Sequence, residues 1–301
     1  MSKSELTQIK TLIIGLGSAG WVSDLSDQDI GKSHSFSISA NQKFKLIGGV
    51  DSDSKKRDEW KKVFLLPTFA DIESALSSLD YELVVIATPM NTLFPILEKL
   101  LLRDRKSRII VEKPVLVDSK DFRYLAQLSS ENGSRIIVNL PRLFSPEFTS
   151  IRSLLNGQDL ISVSGDFSGS YLNTSLHLIS FLNSLFPDCR WSLDNHDNQT
   201  DLQVYHRGFK IGVIEGDRES FASTFNLEIT TNKGTLSYLD GGLSIKFKHE
   251  NLETEIISTR KVYQKNVYDY ISASGWSESI RVAGLQAILP SIASFLGLDD
   301  E

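Results

Sequence analysis

The chain holds a single cysteine, Cys189, in 301 residues, so it can form neither an internal disulfide framework nor a thiolate cage for a metal. Cys189 reads as a small buried or half-exposed thiol, and no metal is expected. Positive charge is not in excess: 38 acidic against 32 basic residues give a net charge of −6 and a pI near 5.5. That is the wrong sign for a nucleic-acid binder or a polybasic membrane binder. The densest basic stretch, Lys55-Lys56-Arg57 with Lys61-Lys62, is broken by Asp58, Glu59 and Trp60 and reads as a solvated helix face. No run of about 20 apolar residues is present to cross a bilayer, and the polar first ten residues carry no apolar signal-peptide core. A soluble cytoplasmic protein is the expectation, without an internal repeat or a low-complexity linker.

What is present is a chain with 41% hydrophobic residues, long enough to bury one large core or two smaller ones. Its first half alternates short apolar runs with helical stretches. Strands are expected at Thr11–Gly15, Phe44–Val50, Leu83–Ala87, Arg108–Val111 and Arg135–Asn139, and helices near Ser54–Phe64, Asp71–Leu79, Thr92–Arg105 and Ser119–Glu131. Asp71 and Asp118 or Ser119 suit N-caps, and Gly133 suits the position just past a helix. Runs such as LVVIA and RIIV are apolar on both faces, as a parallel sheet covered by helices requires. The fold class is therefore an α/β Rossmann domain, a doubly wound parallel sheet, over residues 1–145.

The pattern changes after about Pro146. A helix over Glu147–Leu155, a strand over Leu160–Phe167 and an apolar helix near Thr174–Phe186 precede five strands whose residues alternate between polar and apolar. Turn signals at Asn232-Lys233-Gly234 and Asp240-Gly241-Gly242 separate the later ones. This predicts an α+β domain over residues 146–301, with an open, mostly antiparallel sheet for substrate binding and oligomerisation. A closing helix near 277–295 is free to pack back on the first domain. Phe225, Leu227 and Ile229 are expected on the exposed sheet face, where they would favour a homodimer or homotetramer.

Gly15-Leu16-Gly17-Ser18-Ala19-Gly20 forms G-x-G-x-x-G directly after the first strand. In this setting Gly15 permits the tight turn, Gly17 lets a pyrophosphate approach the backbone, with Ser18 and Ala19 beside it, and Gly20 lets helix and strand pack closely. Asp51 ends the second strand, where a carboxylate accepts hydrogen bonds from the adenosine ribose. It lies 31 residues past Gly20 instead of about 20, and the stretch Asp24–Ser33 reads as an insertion within or just after the first helix. The carboxylate repels a 2′-phosphate, which favours NAD. Ser52, Lys55, Lys56 and Arg57 leave NADP open. Trp21 either covers the crevice or packs under the helix, and His34 follows the insertion within possible reach of the pocket. His196 and His206 are read as structural or exposed.

Together with the glycine motif, Ala87-Thr88-Pro89 at the end of the Leu83–Ala87 strand, Glu112-Lys113-Pro114 after the Arg108–Val111 strand and a helix carrying His177 resemble the Gfo/Idh/MocA family of sugar and polyol oxidoreductases. Glu-Lys-Pro is the most specific element, and the resemblance covers nearly the whole chain. Its nearest likeness is to short members from bacterial surface-polysaccharide and unusual-sugar pathways. It implies that Ala87, Thr88, Pro89, Glu112 and Lys113 border the cofactor and that Lys113 and His177 are catalytic. Asn139, Arg142 and Asn173 would join them in facing a sugar or nucleotide-sugar. An ammonium at a strand's carboxyl end can also be read on physical grounds, since it can stabilise a developing alkoxide or hold the nicotinamide ribose. Imidazole suits proton transfer because it titrates near neutral pH.

The chain departs from the family's Asp-x-Gly-x-His-x-x-Asp pattern by carrying Asn173, Ser175, His177 and Ser180, and Leu93 stands where many members have a histidine. Neither Asn173 nor Ser180 supports an imidazolium as a carboxylate does. Three readings follow. The first is an NAD(P)-dependent oxidoreductase acting on a secondary alcohol or ketone. The second is a dinucleotide-binding sensor of the same fold, and the third a sugar enzyme that uses bound NAD without net redox change.

Overall fold

A computed structural model describes the chain except residues 1–7, 26–30, 104–106, 114, 116–122, 125–126, 129, 132–134, 169–170, 196–199, 218–223 and 290–301, and the side chains of 171–173, 193 and 195. Its contacts divide into two units. The first contains the chain up to Val117 with Tyr124–Pro141 and Lys261–Ala287, and the second is built on Arg142–Arg260.

The first unit is a six-stranded, wholly parallel sheet of β1 (Ile9–Ile14), β2 (Phe44–Val50), β3 (Thr68–Phe69), β4 (Leu83–Ile86), β5 (Arg108–Val111) and β6 (Ile136–Val138). Their order is β3-β2-β1-β4-β5-β6, so the strand order reverses at β1 and β4. That reversal opens a crevice at the strands' carboxyl ends, where such sheets bind ligands. β4 and β6 are buried at every residue, which explains their unbroken apolar runs. Helix α1 (His34–Ser39) is short. α2 (Ser54–Phe64) starts where the Asp53 carboxylate accepts the amides of Lys55 and Lys56, and stops at Leu65 in a left-handed conformation. Its lysines face solvent as expected, while Trp60 is fully buried and donates Nε1–H to Ser35 Oγ at 2.9 Å. α3 (Ile72–Ser78) is capped by Asp71 as its sequence predicts, and α4 (Met90–Arg103) follows β4. The expected helix over Ser119–Glu131, with its cap residues and Gly133, lies largely outside the described residues.

The second unit carries α5 (Pro146–Leu155), α6 (Tyr171–Leu185) and an eight-stranded sheet. Its strands are β7 (Leu160–Ser168), β8 (Cys189–Asn195), β9 (Thr200–His206), β10 (Phe209–Asp217), β11 (Thr224–Thr231), β12 (Gly234–Leu239), β13 (Ser244–His249) and β14 (Leu252–Glu255). All neighbours pair antiparallel except β7 and β10. The expectation for Phe225, Leu227 and Ile229 is overturned, because all three are buried. Phe225 packs on Phe181 of α6 and stacks on Tyr238 at 5.3 Å. Alternation marks an apolar and a polar face but not which of them a helix covers. The other face of β11 is polar, with Asn226 donating to Asp166 at 3.0 Å.

Two helices close the first unit, α7 (Tyr263–Ser274) and α8 (Trp276–Ala283). α7 is absent from the sequence expectations, although Gln264, Val267, Tyr268 and Ile271 repeat at helical spacing and are all buried.

Candidate cofactor and active site

The turn after β1 is dictated by backbone proximity. Gly15 has φ +98°, and a Cβ there would lie 2.5 Å from the carbonyl oxygen of Ala87. A Cβ on Gly20 would lie 2.2 Å from the oxygen of Gly15, whereas one on Gly17 would meet nothing within 4 Å. Two glycines of the motif therefore keep backbones together, and the third keeps a space clear.

The chain then leaves the expected helix and returns to it. His34 N–H bonds to the oxygen of Ala19, and Ser35 N–H to that of Gly20, both at 2.9 Å. These are helical bonds spanning fifteen positions instead of four, so eleven extra residues have been spliced in between the glycine turn and α1. The same eleven account for the long interval to Asp51. The insertion thus interrupts the helix that follows the glycine turn, one of the two positions expected for it. Its return is fixed by buried Asp24, whose carboxylate accepts the amides of Gly31, Lys32 and Ser33 and the Ser33 hydroxyl. Trp21 packs inward, donating Nε1–H to the oxygen of Leu16 at 3.0 Å.

A cleft of about 690 Å³ opens over this turn, within the usual size of a small-molecule site. Gly15, Gly17, Ser18, Ala19, Asp51, Ala87, Thr88, Pro89, Glu112 and Lys113 line it, so ten residues singled out in the sequence share one concavity. Gly20 does not line it, in keeping with a packing role. Ala70, Asp71, Ile72, Asn91, Thr92 and Ile96 also line it. The sequence offered no sign of these beyond Asp71 as a cap, because their membership follows from where β3 and β4 end. Leu93 is buried in the core side of α4.

The cleft is graded along the strand order. At the β2 side, Asp51 Oδ2 accepts Leu16 N–H and Oδ1 accepts Asp53 N–H, each at 2.9 Å. Arg57 Nη1 donates to the carbonyl oxygens of Asp51 and Ser52, at 2.7 and 2.9 Å, and Lys56 is a lining cation there. In the middle, Thr88 Oγ1 is buried without a hydrogen-bond partner, an orphan that a bound polar ligand would satisfy. At the β5 side stand Glu112 and Lys113. Burial pushes the Glu112 carboxyl upward, but the hydrogen bond from His34, the charge of Lys113 and the hydrogen bond from Asn139 outweigh it and hold the group below its usual range. Asn139 follows β6 and donates Nδ2–H to Glu112 Oε1 at 2.5 Å; it does not line the cleft. The open space at Gly17, the orphaned Thr88 hydroxyl and the acid at the β2 end suit a dinucleotide.

Within the second unit, His177 is 9% exposed on α6 between buried Leu176 and Leu178. Ser180 is buried with its Oγ unpartnered, and the Asn173 side chain lies outside the described residues. The Arg142 guanidinium lies over the Phe225 ring at 4.4 Å, and its Nε is buried without a partner. Cys189 is buried, and that burial pushes its thiol up to about 12, which makes it inert at neutral pH. Among the described residues no group of three or more His, Cys, Asp or Glu could hold a metal, and no helix is long and apolar enough to cross a membrane.

The strand order, glycine turn and cleft define a dinucleotide-binding Rossmann domain. Residues 9–140 match the Gfo/Idh/MocA family model, described as an oxidoreductase family with an NAD-binding Rossmann fold. The whole architecture is shared with solved structures. A dehydrogenase from Chromobacterium violaceum superposes with a TM-score of 0.78 at 12% identity, over 97% of this chain and 94% of that one. UDP-N-acetylglucosamine 3-dehydrogenase from Acidithiobacillus ferrooxidans gives 0.73 at 14% identity, over 97% and 96%. KijD10, a 3-ketoreductase from Actinomadura kijaniata in complex with NADP and TDP-benzene, gives 0.71 at 14%, over 95% of each chain. No curated protein is significantly similar in sequence.

Proposed function

We propose that the protein is an NAD(P)-dependent oxidoreductase that interconverts a secondary alcohol and a ketone on a sugar or nucleotide-sugar, in surface-polysaccharide or unusual-sugar synthesis. The observation that carries this is the single cleft joining the glycine turn, Asp51, Thr88 and Lys113. The likeness to folds whose members include a nucleotide-sugar dehydrogenase and a ketoreductase supports the substrate class. The first unit holds the cofactor. Asp51 takes the adenosine ribose, the amides of Gly17, Ser18 and Ala19 take the diphosphate, and Thr88 and Lys113 take the nicotinamide half. NAD is preferred to NADP, because the Asp51 carboxylate meets the 2′-position and repels a phosphate there.

When bound, the nicotinamide supplies or accepts the hydride. Lys113 donates a hydrogen bond to the reacting oxygen and stabilises negative charge there as it develops. In the reducing direction His177 gives a proton to that oxygen, and in the oxidising direction it takes one. Asn173 and Arg142 orient the rest of the substrate. The second unit would also assemble a homodimer or homotetramer, and the protein would act in the cytoplasm.

Thermal unfolding with NAD, NADH, NADP and NADPH tests the cofactor part, since a ligand of the folded state raises Tm by mass action. Absorbance at the nicotinamide band with a panel of nucleotide-sugars tests the rest. Failure of all four cofactors to raise Tm would remove the proposal, and binding without turnover across the panel would favour a sensor.

A further inference from the structure

Behind the lined wall of the cleft lies a fully bonded set of buried side chains that no role above has used. His34 is completely buried, yet its Nε2 lies 2.9 Å from Glu112 Oε1, the same oxygen that receives Asn139 Nδ2–H. Its Nδ1 lies 2.6 Å from the Tyr268 hydroxyl and 3.2 Å from Gln264 Nε2, and Gln264 and Asn139 bond each other through their amides. Hydrogen counting fixes the arrangement. A carboxylate only accepts, so Nε2 carries the imidazole proton; the Gln264 amide N–H can only donate, so Nδ1 is the acceptor and the Tyr268 hydroxyl donates to it. Tyr268 is itself fully buried, so the chain of bonds ends in the interior. It holds Glu112 in place from the interior side.

The backbone of His34 is tied to the other functional element, because its N–H bonds to Ala19 of the glycine turn. The eleven-residue splice and its Asp24 clamp return the chain to the helix at this residue. One residue thus links, by its backbone, the glycine turn and, by its side chain, the acid that stands beside Lys113.

We propose that His34 is a positioning residue of the cofactor site, which sets Glu112, and with it Lys113, at a fixed reach from the glycine turn so that the nicotinamide half of the dinucleotide is held. This rests on the cofactor reading given above. It predicts that loss of the His34 donor affects the part of the ligand near β5 and spares the part over the turn and Asp51.

Two ligands separate these parts: NAD⁺ itself, and ADP-ribose, which keeps the adenosine and diphosphate but lacks nicotinamide. Calorimetric Kd values are measured for both on the wild type, His34→Leu and His34→Gln. His34→Leu removes the donor at similar volume and is expected to weaken NAD⁺ about tenfold, the scale of one bond to a charged group, while ADP-ribose stays within about twofold. His34→Gln restores an N–H toward Glu112 and most of the lost NAD⁺ affinity. Equal weakening of both ligands, or no weakening of either, overturns the positioning role while leaving the cofactor site intact. Should His34→Leu fail to fold, Asn139→Leu removes the second donor to the same oxygen and must give the same split between ligands, or the proposal fails. If the wild type binds neither ligand, the cofactor reading itself is wrong and this inference falls with it.

Discussion

The two leading glycines of the motif give one sequence pattern two separable physical tests. Gly15→Ala must place a side chain at φ +98° with its Cβ 2.5 Å from the oxygen of Ala87. The left-handed strain costs about 1–2 kcal/mol, and displacing a neighbouring backbone group costs about 1–3 kcal/mol more. Together that is roughly 2–5 kcal/mol, or about 5–15 °C of Tm for a unit of this size. Gly17→Ala meets nothing within 4 Å and has no left-handed φ. Its unliganded Tm should hold or rise slightly, since removing a glycine restricts the unfolded chain by about 0.4–1 kcal/mol. The methyl group nevertheless projects into the space that the diphosphate needs. NAD at about 100 times its Kd should stabilise the wild type by about 2.7 kcal/mol, and Gly17→Ala should lose nearly all of that shift. Differential scanning fluorimetry with and without NAD reads both effects. A Gly17→Ala protein that keeps the full NAD shift refutes the placement of the diphosphate, and a Gly15→Ala protein as stable as wild type refutes the close approach to Ala87.

Other outcomes follow from the same geometry. Lys113→Ala should lose about half of the NAD-induced rise in Tm, as about tenfold weaker binding dictates, and lose turnover by at least about 100-fold, the scale of one transition-state donor; unchanged turnover would exclude Lys113 from the chemistry. Asp51→Ser removes the carboxylate at the β2 end and should weaken NAD by about 10–100-fold while narrowing its advantage over NADP, as titration of both cofactors would show. Glu112 titrates below its usual value in the folded protein, so it contributes stability above its unfolded pKa of about 4.3 and loses it as pH falls through the lower folded value. Tm should therefore drop more steeply toward acid in the wild type than in Glu112→Gln, and parallel curves would contradict the shift. Cys189 should resist a thiol reagent such as DTNB at pH 8 until the protein unfolds, given its burial and its thiol at about 12; rapid labelling of the native chain would show that β8 opens.

The amino-acid sequence by itself determined the parallel sheet and the identity of its phosphate turn, because both rest on local rules. Runs such as Leu83–Ile86, apolar on both faces, need a covered sheet, and a G-x-G-x-x-G between strand and helix needs only its own backbone to make sense. Asp51 was found despite its displacement, since the end of β2 is legible without knowing where the preceding eleven residues go. The carboxyl-terminal side of the cleft was legible through Ala87-Thr88-Pro89 and Glu112-Lys113, which lie beside strand ends that the pattern already marked.

Tertiary structure alone decided which face of an alternating strand is wet. Phe225, Leu227 and Ile229 have the same periodicity whether this chain or a second copy covers them; here the chain itself buries all three, with Phe181 of α6 on Phe225. It also decided the use of His34, Gln264 and Tyr268. The site depends on hydrogen bonds across 78 and 234 positions of sequence, between His34 and Glu112 and between His34 and Tyr268. Periodicity and capping report on neighbours within a turn or a strand pair. A buried polar group becomes meaningful only when folding brings up the partner that satisfies it.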